Sequence, residues 1–530
     1  MKSPKSVSLP GLIRLRSQTE GDAVALRTVD DESAYTWSDL HESSMAWAGM
    51  LARLGVGHGD VVATMLARGD QAAVSWIGAA AIGAMEAPLN HAFKGDWLRR
   101  VLTTISPRAI VIDERFTSIW EPLLPELTVP VILSGHATQR GFLSSAELLS
   151  GSLPQIALVD GGLADPACVI LTSGTTGNSK GVIVPWGRCA GTIQIAEALD
   201  PDADGTYYNP FPPFHWSARG PLYRAAARGT GLVTREGFRT SAWLDDVRRF
   251  ECTDTLLIGA MMAFLMDSPE RHDDADNPIR ACVGGPLPPY VEDFAQRFGI
   301  DRVVATYAMS EIVNVFLTPA GSSVTAADFL SCGKEAGFPV RLVHEDSTPV
   351  EVGEVGELQV GGEASTLNLG YLNDPVASAA AWTEDGWFKT GDLFRADADG
   401  YHYFVDRMKD ALRRRGENIS SAEVEVIALR HSAVAECAVV PTPSEWSEDE
   451  VMIFVVAAPG ASVEPAELTD FMAEHVPAFA VPRFVELIDE LPKTPTMKVQ
   501  KSVLRERGRG PHTWDRSPQS DRRAGSLLAK

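Results

Sequence analysis

Cysteine is scarce in this chain, six residues in 530. The six are scattered and none form a C-x-x-C pair. Neither a disulfide framework nor a thiolate metal site is indicated, and they read as small buried apolar residues in a reducing compartment. Histidine is sparse too, with eleven residues and no H-x-x-x-H spacing, so no structural metal is expected. Positive charge is in deficit. Lys and Arg number 47 against 70 Asp and Glu, a formal net charge of −23. A field of that sign disfavours broad nucleic-acid binding and adhesion to anionic membranes. Long apolar runs are missing. The best candidate, Ala72 to Met85, stops at Glu86 and is too short to cross a bilayer, so it reads as a buried helix. Lys2, Lys5, Arg14 and Arg16 have no apolar core between them, so no signal peptide is predicted. A cytoplasmic protein without membrane insertion is expected.

The length exceeds what one compact core fills, so two or more domains are expected. Val61 to Leu66, Ala109 to Asp113, Val129 to Leu133, Ala167 to Leu171, Thr255 to Ile258 and Val303 to Tyr307 read as strands alternating with helices such as Gln71 to Ala84. That alternation implies an α/β architecture with mostly parallel sheets, whose ligands gather beyond the carboxyl ends of the strands. From about Gly353 the texture becomes β-rich, with strands at Glu357 to Val360 and Tyr401 to Val405. Ser420 to Arg430 reads as a helix opened by a capping box. Strands at Ala433 to Val440 and Val451 to Ala458 and a helix at Glu464 to His475 complete a small α+β domain. The expected division is a large domain at 1–408, a small domain at 409–504 and a disordered basic tail at 505–530.

The most informative segment is Leu171-Thr-Ser-Gly-Thr-Thr-Gly-Asn-Ser-Lys180, fed by an apolar run. Glycines let backbone N–H groups converge on an anion, hydroxyls add short donors and lysine adds a mobile charge. The spacing is not that of a P-loop. Four further segments follow in order: Tyr307-Ala-Met-Ser-Glu311, Gly386-Trp-Phe-Lys-Thr-Gly-Asp392, Asp406-Arg-Met-Lys-Asp410 and Pro492-Lys-Thr-Pro-Thr-Met-Lys498.

In this order the segments resemble the adenylate-forming superfamily, specifically its acyl-CoA synthetase branch, over about residues 20 to 501. The resemblance implies a large α/β domain followed by a mobile α+β domain, and an acid:thiol ligase using ATP, Mg²⁺ and CoA. It implies that Thr172, Ser173, Gly174, Thr175, Thr176 and Lys180 grip phosphates, joined by Ser310, and that Glu311 holds Mg²⁺. Gly285 is implied at the adenine side, Tyr307 among the nucleotide-binding residues, Asp392 at the ribose hydroxyls and Arg407 on the nucleotide. Lys498 is implied as the catalytic cation, Lys409 as the interdomain hinge and Gly416 near the pantetheine. His215, Gly284 and Ala308 fall in the acyl pocket.

The chain departs from the family pattern in several places. Met497 and Ala308 stand where glycine is common, Ser310 where threonine is, and Pro185-Trp186 replaces a Ser/Thr-His pair. Amino-acid-activating relatives carry an aspartate at the place of His215, and a histidine supplies no permanent negative charge. The expected substrate is therefore a carboxylic acid without an α-amine: fatty, carnitine-like or a bile-acid or steroid side chain. The alternatives are an adenylating enzyme that loads a separate carrier protein and a non-catalytic nucleotide-binding relative. A homodimer is an open assembly.

Overall fold

The structure is a computed structural model that describes residues 7–136, 139–172, 180–199, 205–285, 287–325, 330–408, 412–414, 417–443, 449–494 and 499–516. Its contacts divide the chain into two compact units, Met1–Val340 with Val360–Phe388, and Arg341–Gln359 with Lys389–Lys530.

In the first unit a seven-stranded sheet runs Leu143–Ser144, Val131–Leu133, Ala109–Ile112, Val61–Met65, Met85–Pro88, Pro166–Thr172, Lys180–Pro185. All its neighbours are parallel except the last pair. Val62 belongs to the core on one face, while Val61, Ala63 and Met65 belong to the core on the other. Burial on both faces explains why this strand reads as a continuous apolar run. A second set of strands holds Thr206–Asn209, Cys252–Leu256, Ala281–Gly284 and Arg302–Met309 in parallel neighbours. The chain then turns back at Ser310-Glu311 into the antiparallel strand Ile312–Leu317. The helix expected from Gln71 is Gly69–Ala81, almost wholly buried.

The strand Phe388–Ala396, in the second unit from Lys389 on, pairs antiparallel with His402–Arg407. Farther on, the order is Val434–Pro443, Asp449–Ala457, Phe484–Leu487, Trp514–Asp515. Val439, Ile453 and Val455 pack on one face of this sheet, and Val440, Met452 and Phe454 on the other. Residues 505–516 are not the unstructured tail expected. Lys501–Arg507 is helical and Trp514–Asp515 adds a strand. Leu504 is buried, and the buried Glu486 accepts from Arg507 (2.6 Å) and Thr513 (2.6 Å). A segment fastened by one apolar anchor and a buried carboxylate carries no apolar periodicity for sequence reading to find.

Candidate active site

The phosphate-loop segment is closed at its base by the register Thr172 to Lys180 between antiparallel strands. Ser173, Gly174, Thr175 and Thr176 lie outside the described residues. Lys180 Nζ sits 4.6 Å from the ring centre of Tyr371. Tyr371 donates its hydroxyl to Glu311 Oε1 (3.1 Å), and Asn368 Nδ2 donates to the Glu311 carbonyl (3.0 Å). Burial first, and then the Glu311 charge, push the Tyr371 phenol well above its ordinary pKa, so it remains a donor. The segment carrying Tyr371 is laced to the strand after the phosphate loop. Leu369 N and Leu372 N donate to the carbonyls of Ile183 (3.0 Å) and Gly181 (2.7 Å). Lys180 and Glu311 are thus brought together through Tyr371, with Glu311 buried on a hairpin turn rather than at a helix N-terminus. Ser310 shares that turn and is half-buried.

Gly284 ends its strand opposite Ala305, and Gly285 follows it. A Cβ at Gly285 would lie 2.5 Å from the Thr306 carbonyl oxygen, and one at Gly284 would run into Leu287. Only glycine lets the backbone pass here. Tyr307 is buried in the neighbouring strand, facing Phe316, and Ala308 is exposed beside it. His215 is the residue before the helix Trp216–Arg228, its ring 4.4 Å from that of Phe214. That loop is held by Arg219, whose Nε donates to the Pro213 carbonyl (2.6 Å) and whose Nη1 donates to the Ala72 carbonyl (3.1 Å) and pairs with Glu86 (2.5 Å). Trp186 stacks between Trp76 (6.1 Å) and Tyr223 (6.2 Å) and is buried, so the unusual Pro185-Trp186 pair is a packing feature.

In the second unit, Asp392 and Arg407 face each other across neighbouring strands, with Arg407 Nε 3.6 Å from Asp392 Oδ1. Asp392 is buried in a strand, while half of the Arg407 side chain is exposed. Asp406 does not pair with the Arg407 side chain. It accepts from the backbone N–H of Arg407 (2.8 Å) and of Ser421 (2.9 Å), tying the Asp-Arg segment to the start of the helix Ser421–Ala428. Lys498, Lys409 and Gly416 lie outside the described residues. Of the lysines near Lys498, Lys493 is paired with Glu436 (2.5 Å) and Lys501 with the half-buried Glu425 (2.7 Å).

Comparison with known proteins places this geometry. The sequence profile of AMP-binding enzymes matches residues 13–372, and that of the AMP-binding enzyme C-terminal domain matches residues 423–498. The chain belongs to the AMP-binding enzyme family. It is 30% identical to a sulfoacetate–CoA ligase of Cupriavidus necator, over 94% of this chain and 97% of that one. It is 28% identical to a crotonobetaine/carnitine–CoA ligase of Salmonella typhimurium, over 89% and 93%. Its fold is that of the anthranilate CoA ligase AuaEII, solved with anthranoyl-AMP: TM-score 0.86, 23% identity, covering 95% of this chain and 98% of that one. Within the adenylate-forming superfamily this AMP-binding enzyme falls in the acyl-CoA synthetase branch, which makes it an AMP-forming acid–thiol ligase. The co-substrates and metal of that branch are ATP, CoA and Mg²⁺.

The residues present fit that chemistry. Among the described residues no group of three or more His, Cys, Asp or Glu could hold a metal ion by itself. A buried carboxylate linked to a lysine through a tyrosine suits Mg²⁺, which takes few protein ligands and completes its shell with phosphate oxygens and water. The close backbone passage at Gly285 suits a flat base, and a carboxylate beside a guanidinium suits ribose hydroxyls and phosphate. Tyr371, Asn368 and Arg219 were not found by sequence reading. Tyr371 and Asn368 lie 60 and 57 residues from Glu311, and no local spacing signals such a contact. Among the described residues no helix is long and apolar enough to cross a membrane.

Proposed function

We propose that this AMP-binding enzyme is an ATP-dependent carboxylic acid:CoA ligase. A carboxylate oxygen of the acid attacks the α-phosphorus of ATP and pyrophosphate leaves. The CoA sulfur, having lost its proton, then attacks the acyl carbon and AMP leaves, giving the thioester. The observation that carries this reading is the convergence of Lys180, Tyr371 and Glu311 at the end of the phosphate loop.

Negative charge crowds the first step, so its cations and donors must be placed beforehand. Thr172 to Thr176, Lys180 and Ser310 grip the phosphates, and Glu311 holds Mg²⁺, which when bound neutralises phosphate charge. Tyr371 orients that carboxylate. Gly285 and Tyr307 bound the adenine, Asp392 accepts from the ribose hydroxyls and Arg407 meets the nucleotide. Lys498 follows the charge between carboxylate and α-phosphate, as a single ammonium on a long stem can. We assign 1–408 and 409–504 as the working domains, Lys409 as the hinge and Gly416 to the thiol-transfer step.

The acyl side, with His215, Gly284 and Ala308, takes an acid without an α-amine. The relatives' named substrates, sulfoacetate and crotonobetaine or carnitine, support that choice, and their tails carry opposite charges. The test is pyrophosphate release with ATP, Mg²⁺ and a panel of acids, with and without CoA. The panel spans short sulfonated, fatty, carnitine-like and steroid side-chain acids. Turnover that requires CoA is the expected result. Release that stops near one equivalent whether or not CoA is present would replace CoA by a carrier protein, and no release with any acid would overturn the reading.

A further inference from the structure

Arg188 spans the mouth of the turn that carries Glu311. It lies on the helix Trp186–Gly191 and has no exposed surface. Met309 and Ile312 face each other where the hairpin closes, and the two residues between them are Ser310 and Glu311. A single nitrogen of the guanidinium, Nη2, donates to both flanking carbonyls, Met309 (2.9 Å) and Ile312 (3.3 Å). The hairpin is irregular at this end, because its register shifts between Tyr307 and Met309. An interrupted ladder bends the strand, so the aim of the turn is set by contacts from outside the hairpin.

The clamp is itself held. The ring of Trp216 covers the guanidinium, its centre 4.3 Å from the guanidinium carbon. The helix is seated on the far strand of the same hairpin, where a Cβ at Gly191 would lie 2.7 Å from the Val313 side chain. Nε and Nη1 have no hydrogen-bond partner, so the two turn carbonyls take all of its hydrogen bonds among the described residues. Burying a guanidinium with most of its donors unmet is costly, and an apolar side chain would fill the same space without that cost. Packing alone therefore does not account for an arginine here. Glu311 is the carboxylate whose charge acts on it, and Tyr371 holds that carboxylate from the other side of the chain (3.1 Å).

We propose that Arg188 is a positioning residue for the Mg²⁺ site: it fixes both flanks of the Ser310-Glu311 turn, while Tyr371 fixes the Glu311 carboxylate. This rests on the ligase reading and on Glu311 as the metal's carboxylate, and it names what holds that carboxylate in place. Arg188 acts through the backbone, so no ligand has to reach it. Residues that orient a metal's ligand from outside typically carry about 10- to 100-fold in metal affinity.

The test is calorimetric binding of ATP to the full chain without acid, once with Mg²⁺ and once with a chelator in its place. Arg188→Met is expected to weaken ATP binding in Mg²⁺ by about 10- to 100-fold and to leave Mg²⁺-free binding largely unchanged. Arg188→Lys keeps the charge but not the planar fork, so a smaller loss is expected in the Mg²⁺ arm alone. An arginine that merely supports the fold would weaken both arms alike. That result, or no loss in Mg²⁺, overturns the proposal. If Arg188→Met does not fold, the same two measurements on Arg188→Lys decide, and an unaltered Mg²⁺ arm overturns it. Glu311→Gln separates the readings, since it is expected to remove most of the gain that Mg²⁺ brings. If it does so and Arg188→Met does not, the clamp alone falls. If it does not, the metal assignment of Glu311 falls and the clamp with it. Pyrophosphate release by the wild type tests the ligase reading separately.

Discussion

Tyr371 is a positioning residue: its hydroxyl reaches Glu311 at 3.1 Å and its ring lies under Lys180. A hydrogen bond to a charged group contributes about 1.5–3 kcal/mol. Tyr371→Phe keeps the ring and deletes that bond. It is expected to raise the KM for Mg·ATP by roughly 10- to 100-fold, with the melting temperature nearly unchanged. Pyrophosphate release titrated with Mg²⁺ checks this, and an unaltered KM would detach Tyr371 from the metal site. Asp392 carries a different expectation. Its buried carboxylate should serve the ribose hydroxyls, so the wild type should prefer ATP over 2′-deoxy-ATP. Asp392→Asn should shrink that preference several-fold, measured as a ratio of kcat/KM values. An equal loss on both nucleotides would give Asp392 a structural role instead.

At the scale of elements, the loop bearing His215 is held by Arg219, which is itself paired with Glu86. Arg219 and Glu86 are both almost fully buried, and Arg219 also holds the carbonyls of Pro213 and Ala72. Burial pushes the Glu86 pKa up, but the arginine and the Thr64 hydroxyl (2.9 Å) hold it back. Removing one partner of such a pair leaves an uncompensated buried charge and costs about 3–5 kcal/mol. Arg219→Met is expected to lower the melting temperature by several degrees, and the added change Glu86→Met should recover part of that loss. Calorimetry of the two variants decides. No recovery in the double variant would mean that the carbonyl contacts, rather than the charge pair, carry the stability.

At the scale of the molecule, Lys498 belongs to the segment matched by the C-terminal family domain, and Glu311 to the large one. If Lys498 serves adenylation alone, the two half-reactions separate. Lys498→Ala is expected to slow adenylate formation by about two to three orders of magnitude, in the range seen when one electrostatic donor is removed. Thioester formation from a supplied acyl-adenylate should stay near the wild-type rate. Single-turnover measurement of each step checks this, and equal loss in both would remove the division of labour.

What the sequence determined by itself was local. The glycine and hydroxyl loop behind an apolar run, the Ser-Glu turn after a strand and the Asp-Arg pair are each written in a few consecutive residues, because backbone freedom and side-chain type are local properties. So are the apolar runs, which placed the strands read from them to within a few residues, as at Val61–Met65 and Asp449–Ala457. The fastening of residues 505–516 was not legible, nor were the partners of the site residues. Glu311 meets Tyr371 and Asn368 only because their segment is laced beside the strand after the phosphate loop. Arg219 likewise meets the Pro213 and Ala72 carbonyls and Glu86 only because segments distant in sequence pack around it. Which donors are satisfied depends on strand order and helix packing, and those are set by the burial of whole faces rather than by any short run of residues.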